Sequence, residues 1–310
     1  MSESQLTTEQ QISSLWNLGG LSWPELGRRV WGGMQQNDLL NRAYELAYNF
    51  LLALFPGMLF ILALLGIFAS RHSGLRADLF TYLQNVLPSD AYHLVISTVN
   101  EVLQANGGGK LTFGLVFAIY SASAGMTQLI STLNAAYEVK EARSWLKVHG
   151  ISVALTVGVS ILTVAAILLV FAGSHILSIT GQALRLSAAF LVVSSIVRWI
   201  LALVFVVLTF AIIYYFAPDV EQRHWYWITP GSVVGVLLWA IASAALRAYL
   251  HFFDTYSKTY GALGAVIVLM LWFYVAGLAL LIGGQINSTI EHAAAEHGHP
   301  EAKPAGQKAA

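Results

Sequence analysis

The stretch Ala47–Gly66, AYNFLLALFPGMLFILALLG, holds no charged side chain and yet carries a proline, Pro56, near its middle. The fold class turns on whether it is the buried core helix of a water-soluble domain or a bilayer span that tolerates a proline. A proline inside a helix in water costs about 3 kcal/mol, because it deletes an N–H and crowds the preceding turn. In a bundle of spans the freed carbonyl is satisfied by neighbours, so the proline is accepted as a kink. The surrounding sequence decides the case. The charge-free run extends from Leu46 to Ser70, and about 20 apolar residues cross a hydrocarbon layer of about 30 Å. Across all 310 residues, 57% are hydrophobic and 10% charged, against roughly 25% charged in ordinary soluble domains. Mean hydropathy is +0.65. Too few charged groups exist to cover a water-facing surface, so the apolar residues meet lipid.

Charge-free runs recur along the chain, at Leu46–Ser70, Leu111–Tyr137, Val148–Leu184, Trp199–Pro218, His224–Leu246 and Thr259–Ile290. Each is long enough to span, which predicts six transmembrane helices in an all-α, polytopic membrane protein. The third run reads as one span over 148–172 followed by a less apolar linker, and the fourth span starts either near Ser187 or at Trp199. Aromatic residues flank several runs, as expected of rings with a polar edge at headgroup level: Trp145, Trp199, Tyr214, Tyr215, Trp225, Tyr226 and Trp227. With six spans both termini share a side. That side carries Arg28, Arg29, Arg42, Lys140, Arg143, Lys147, Arg223, Lys303 and Lys308, against Arg71, Arg76, Lys110, Arg185 and Lys258 on the other. The excess of basic residues places both ends in the cytoplasm.

The expected organisation has three parts. Residues 1–43 form a cytoplasmic segment whose stretch from Ser22 reads as a short interfacial helix: Ser22 at the cap, Pro24 and Glu25 in the first turn. Its Trp23, Leu26, Val30 and Trp31 are expected in the headgroup layer. Residues 44–290 form the six-span domain, including an outer connection over 71–110 that reads as two amphipathic helices separated by Pro88. Residues 291–310 read as a disordered cytoplasmic tail.

Four blocks together resemble the YihY/BrkB family of bacterial inner-membrane proteins, once labelled ribonuclease BN. They are Ala43-Tyr-Glu-Leu-Ala-Tyr-Asn-Phe with Leu54-Phe-Pro; Ser121-Ala-Ser-Ala-Gly-Met-Thr-Gln-Leu-Ile-Ser-Thr-Leu-Asn-Ala-Ala-Tyr137 with Arg143-Ser-Trp; Trp227-Ile-Thr-Pro-Gly with Leu238-Trp-Ala; and Tyr260-Gly-Ala-Leu-Gly-Ala-Val-Ile-Val-Leu-Met-Leu-Trp-Phe-Tyr274 ending in Gly283-Gly-Gln-Ile-Asn287. The resemblance implies a six-span inner-membrane protein with cell-envelope associations.

The chemistry-bearing residues argue against an enzyme. The chain has no cysteine and zero formal net charge, which excludes thiol chemistry and any global nucleic-acid footprint. The acidic residues are scattered rather than clustered with histidine as metal-dependent phosphodiester cleavage requires. Gly107-Gly-Gly-Lys110 lacks the hydroxyl residue and leading glycine of a phosphate loop. No cofactor and no metal are expected, and His292, His297 and His299 read as tail residues. Polar residues at membrane depth are more telling, because lipid does not solvate them. Arg42, Glu45, Tyr48 and Asn49 open the first span, Gln128, Ser131 and Asn134 recur at helical spacing on the second, and Gln285 and Asn287 close the sixth. They are expected either to line a cavity for a polar headgroup or to bond helix to helix, with Arg42 and Glu45 close enough to pair. Arg198, Arg247 and Asp254 are expected near outer headgroups, and Gly231–Gly235 and Gly261–Gly264 as close-packing faces. The functional expectation is transport or handling of an amphiphilic envelope molecule, a lipid or lipid-linked precursor. The alternative is a non-transporting scaffold that recruits envelope-assembly proteins through residues 71–110. The partners expected are membrane lipids and such assembly proteins, not nucleic acid.

Overall fold

The structure is a computed structural model that describes residues 18–69, 109–183, 188–220, 229–252 and 255–297. Among these there are seven α-helices and no strand: α1 Trp23–Gln36, α2 Leu39–Ala69, α3 Gly109–Ala136, α4 Trp145–Ala183, α5 Ala188–Phe216, α6 Pro230–Phe252 and α7 Thr255–Glu296. A single 3-10 turn, Leu18–Gly20, precedes α1. Among the described residues, five helical segments are long and apolar enough to cross a membrane: Val116–Ala136, Trp145–Val170, Val192–Phe216, Pro230–Tyr249 and Val266–Glu296. The expected first span lies on α2, which runs as one helix through Pro56.

Two boundaries differ from the sequence reading. Helix α4 continues to Ala183, where a linker was expected after residue 172. Falling hydropathy marks departure from lipid, not the end of a helix, and Gly173–Ala183 contains no proline to stop it. Helix α5 begins at Ala188, matching the earlier of the two starts considered, so Arg198 sits well inside it. The last helix extends to Glu296, beyond the boundary expected at residue 290, with Ala293 fully buried. The outer connection expected over 71–110 lies outside the described residues apart from the first turn of α3, as do Asp254 and 298–310.

The chain divides into two compact units, one formed by 1–52, 125–155 and 210–310, the other by 53–124 and 156–209. In the first, α7 packs along α6 and carries α1 and the 3-10 turn at its C-terminal end. Small residues set the α6–α7 approach. A Cβ on Gly231 would collide with the Gly283 carbonyl oxygen, and one on Gly235 would stand 2.9 Å from the Tyr214 hydroxyl. That hydroxyl, fully buried, donates to the Leu280 carbonyl at 2.7 Å. The 3-10 turn is equally tight: Gly19, at φ +62°, has no room for a side chain against the Ile290 carbonyl, so glycine is required on both counts.

Helix α1 is amphipathic by position. Leu26, Val30 and Met34 are buried, and Arg29 ties the helix to α7 through Glu296 at 2.8 Å. Leu26 and Val30 therefore face protein, where the sequence reading expected headgroups; only Trp23 and Trp31 project outward. Ser22 occupies the N-cap without a side-chain cap bond. Pro24, in the first turn, has no N–H to offer it.

Candidate functional site

All nine residues singled out as cavity-lining candidates fall in the first unit: Arg42, Glu45, Tyr48, Asn49, Gln128, Ser131, Asn134, Gln285 and Asn287. The structure distributes them over three arrangements with different chemistry.

The first is a helix-end clamp built on Arg143. The loop between α3 and α4 folds back so that this guanidinium, 8% exposed, meets the end of α5. It donates to Glu141 through Nε at 2.8 Å and Nη2 at 2.7 Å, and to the Ala217 carbonyl at 2.8 Å. Asp219 lies 3.7 Å from Nε and accepts from the Ala142 N–H at 2.9 Å. Asn134 closes the circuit: its Nδ2 donates to Glu141 at 2.8 Å and its Oδ1 accepts from the Asp219 N–H at 2.7 Å. A planar cation with several donors suits this fork and the otherwise open carbonyls of a helix C-terminus. Partial burial pushes the Glu141 carboxyl up, but the bonds from Arg143 and Asn134 outweigh it and hold the group below its ordinary value.

The second arrangement is a buried amide junction on the C-terminal half of α7. Gln285, 2% exposed, accepts from Asn37 at 3.4 Å, and the same Asn37 amide reaches Glu138 at 3.3 Å. Gly33 of α1 rests directly on the Gln285 side chain. Asn287 accepts from the Gly231 N–H at 2.9 Å and so caps the start of α6 from a neighbouring helix. In these two arrangements Asn134, Gln285 and Asn287 bond helix ends together.

The third is a half-exposed polar strip shared by α2 and α3. Gln128 Nε2 donates to the Glu45 carboxylate at 3.1 Å. Asn49 lies one turn along α2 and donates to the Glu45 carbonyl at 2.8 Å. Arg42 turns away from Glu45 and donates to the Asn37 carbonyl at 3.0 Å. Ser131, Tyr44 and Tyr48 are exposed beside them, and Tyr44 stacks on Tyr274 with ring centroids 4.2 Å apart. Gln128 lies eight residues inside the end of α3 at Ala136, or about 12 Å at 1.5 Å per residue.

Of the outer candidates, Arg247 is exposed on α6. In the second unit, Arg198 donates to Ser195 at 3.4 Å while its Nε is buried without a hydrogen-bond partner. Among the described residues, no group of three or more His, Asp or Glu side chains comes together to hold a metal ion. Sequence reasoning missed Glu141, Asp219, Asn37 and Tyr44 as site-forming residues. Arg143 had entered only as a basic residue and a family block, although a lone arginine between two spans is itself a signal.

Comparison with known proteins adds a lineage to this geometry. The sequence model described as virulence factor BrkB matches residues 30–307. The chain is 34% identical over 250 residues to the ribonuclease-like protein YfkH of Bacillus subtilis, covering 81% of this chain and 89% of that one. It is 26% identical to UPF0761 membrane proteins of Idiomarina loihiensis, over 67% of this chain and 70% of the relative, and of Tolumonas auensis, over 85% and 83%. No solved structure matches.

Proposed function

The chain belongs to the virulence factor BrkB family and is a polytopic all-α membrane protein, and from that premise we propose that it transports or handles an amphiphilic envelope molecule, a lipid or lipid-linked precursor. The proposal places it in the bacterial inner membrane with both termini in the cytoplasm, acting without catalysis. The observation that carries it is the strip of Glu45, Gln128 and Asn49. A carboxylate and two amides lie half open on the flanks of two membrane helices. In hydrocarbon such groups are costly and face protein, water or a polar ligand. A headgroup entering sideways would be met by donors and acceptors while its tails stay in lipid, and Tyr44 and Tyr48 supply rings with a polar edge at the same place. The chain carries no nucleotide-binding motif, so movement would run downhill or on an ion gradient.

Ribonuclease activity is the less favoured reading, because the sequence scatters its acidic residues instead of clustering them with histidine. The scaffold alternative rests on residues 71–110, of which 71–108 lie outside the described residues. A lipid-flip assay in proteoliposomes separates the readings. Transport predicts translocation above that of protein-free vesicles, reduced by Glu45→Gln combined with Gln128→Ala. Rates equal to empty vesicles would sink it.

A further inference from the structure

We propose that α1 is a membrane-surface anchor whose Trp23–Gly27–Trp31 flank lies in the headgroup layer of the adjoining leaflet, with Arg28 against lipid phosphate. The inference goes beyond the transport reading and does not depend on it.

Two sides of α1 are already occupied. Leu26, Val30 and Met34 are 4%, 8% and 6% exposed, so the apolar face is spent on protein. Arg29 is held by Glu25 at 3.2 Å and Glu296 at 2.8 Å, which neutralises that flank. What remains is a flank on which residues four apart recur: Trp23, Gly27 and Trp31. The two indoles are 67% and 56% exposed, and nothing lies within 4 Å of the position a Gly27 side chain would take. Arg28 is exposed and, among the described residues, has no ion-pair partner.

Several features make the bilayer the occupant. The helix is fixed to the end of α7, itself long and apolar enough to span, so the leaflet surface is continuous with its docking site. Trp145 and Leu146, 63% and 75% exposed, open the span of α4 in the same compact unit. They are a second instance of a large ring and an apolar side chain at a span boundary. Indole, with an apolar body and one N–H donor, fits the headgroup layer better than bulk water. An exposed guanidinium beside it complements phosphate.

The absence of cysteine gives a clean test. Gly27→Cys in the full-length chain places a nitroxide label between the two tryptophans without removing either. Gly32→Cys and Gln36→Cys report other exposed positions of the helix. In vesicles of phosphatidylethanolamine and phosphatidylglycerol, paramagnetic accessibility should put residue 27 at about 5–10 Å depth, the range for interfacial helices. It should favour oxygen over a nickel chelate there, with the reverse at 32 and 36. Trp23→Ala with Trp31→Ala in the Gly27→Cys background should erase that contrast, while an unchanged thermal stability shows the helix still docked on α7 through Arg29 and Glu296. Nickel-favouring labels at all three positions would overturn the proposal. So would a label at 27 shielded from both reagents, which would mark a second copy of the chain on this flank.

Discussion

At the scale of single residues, Arg143 is the side chain whose loss should be felt most. It holds two carboxylates and a helix C-terminus while nearly out of solvent. Removing Arg143 leaves two partly exposed carboxylates and the end carbonyls of α5 without their donor, at a cost of about 1–3 kcal/mol. Arg143→Ala should lower the detergent-solubilised Tm by several degrees. Arg143→Lys should recover only part, since an ammonium cannot serve Glu141 bidentately. The same cluster sets an acid limit. The folded-state pKa of Glu141 lies below its ordinary 4.5, so its stabilisation is complete above that value and lost as pH falls through the lowered one. A Tm profile should therefore drop in acid below about pH 4.5, and Glu141→Gln should flatten part of that drop. These residues explain what the sequence hid. Asn134 and Gln285 were legible as polar groups out of place in spans, but their partners Asp219 and Asn37 stand 85 and 248 positions away. No local period encodes such a distance, so a cavity and a junction look alike in one dimension.

At the scale of elements, the sequence was far more readable, because a charge-free run long enough to cross lipid has few alternatives to helix. The runs that open at Leu46, Leu111, Val148 and Thr259 begin on observed helices, and the described part of the run that opens at His224 lies on α6 from Pro230. Boundaries were weaker, since the end of a hydrophobic run and the end of a helix answer to different physics: α4 and α7 both outlast their apolar stretches. Helix contacts give a sharp comparison. Gly231→Ala would drive a methyl into the Gly283 carbonyl and part α6 from α7. Gly158 on α4 has nothing within 4 Å, so Gly158→Ala should be neutral or gain up to about 1 kcal/mol from helix propensity. Thermal stability measured side by side should therefore fall for the first and hold for the second. Equal effects would mean the α6–α7 approach is looser than described.

At the scale of the whole molecule, the account is of a chain threaded repeatedly through lipid, with its polar machinery gathered at helix ends. The basic-residue bias predicts that cysteines introduced at residues 20 and 300 react with a membrane-impermeant thiol reagent only after spheroplasts are permeabilised. Reaction of either in sealed spheroplasts would reverse or break the topology. The functional claim rests on a polar strip being where a headgroup meets the protein, and one measurement addresses it directly. A lipid carrying a photoreactive headgroup, activated in proteoliposomes and mapped by mass spectrometry, should label residues 42–49 and 128–131 in preference to the exposed apolar surface at 192–204. Labelling spread evenly over both, or concentrated on 192–204, would contradict the account.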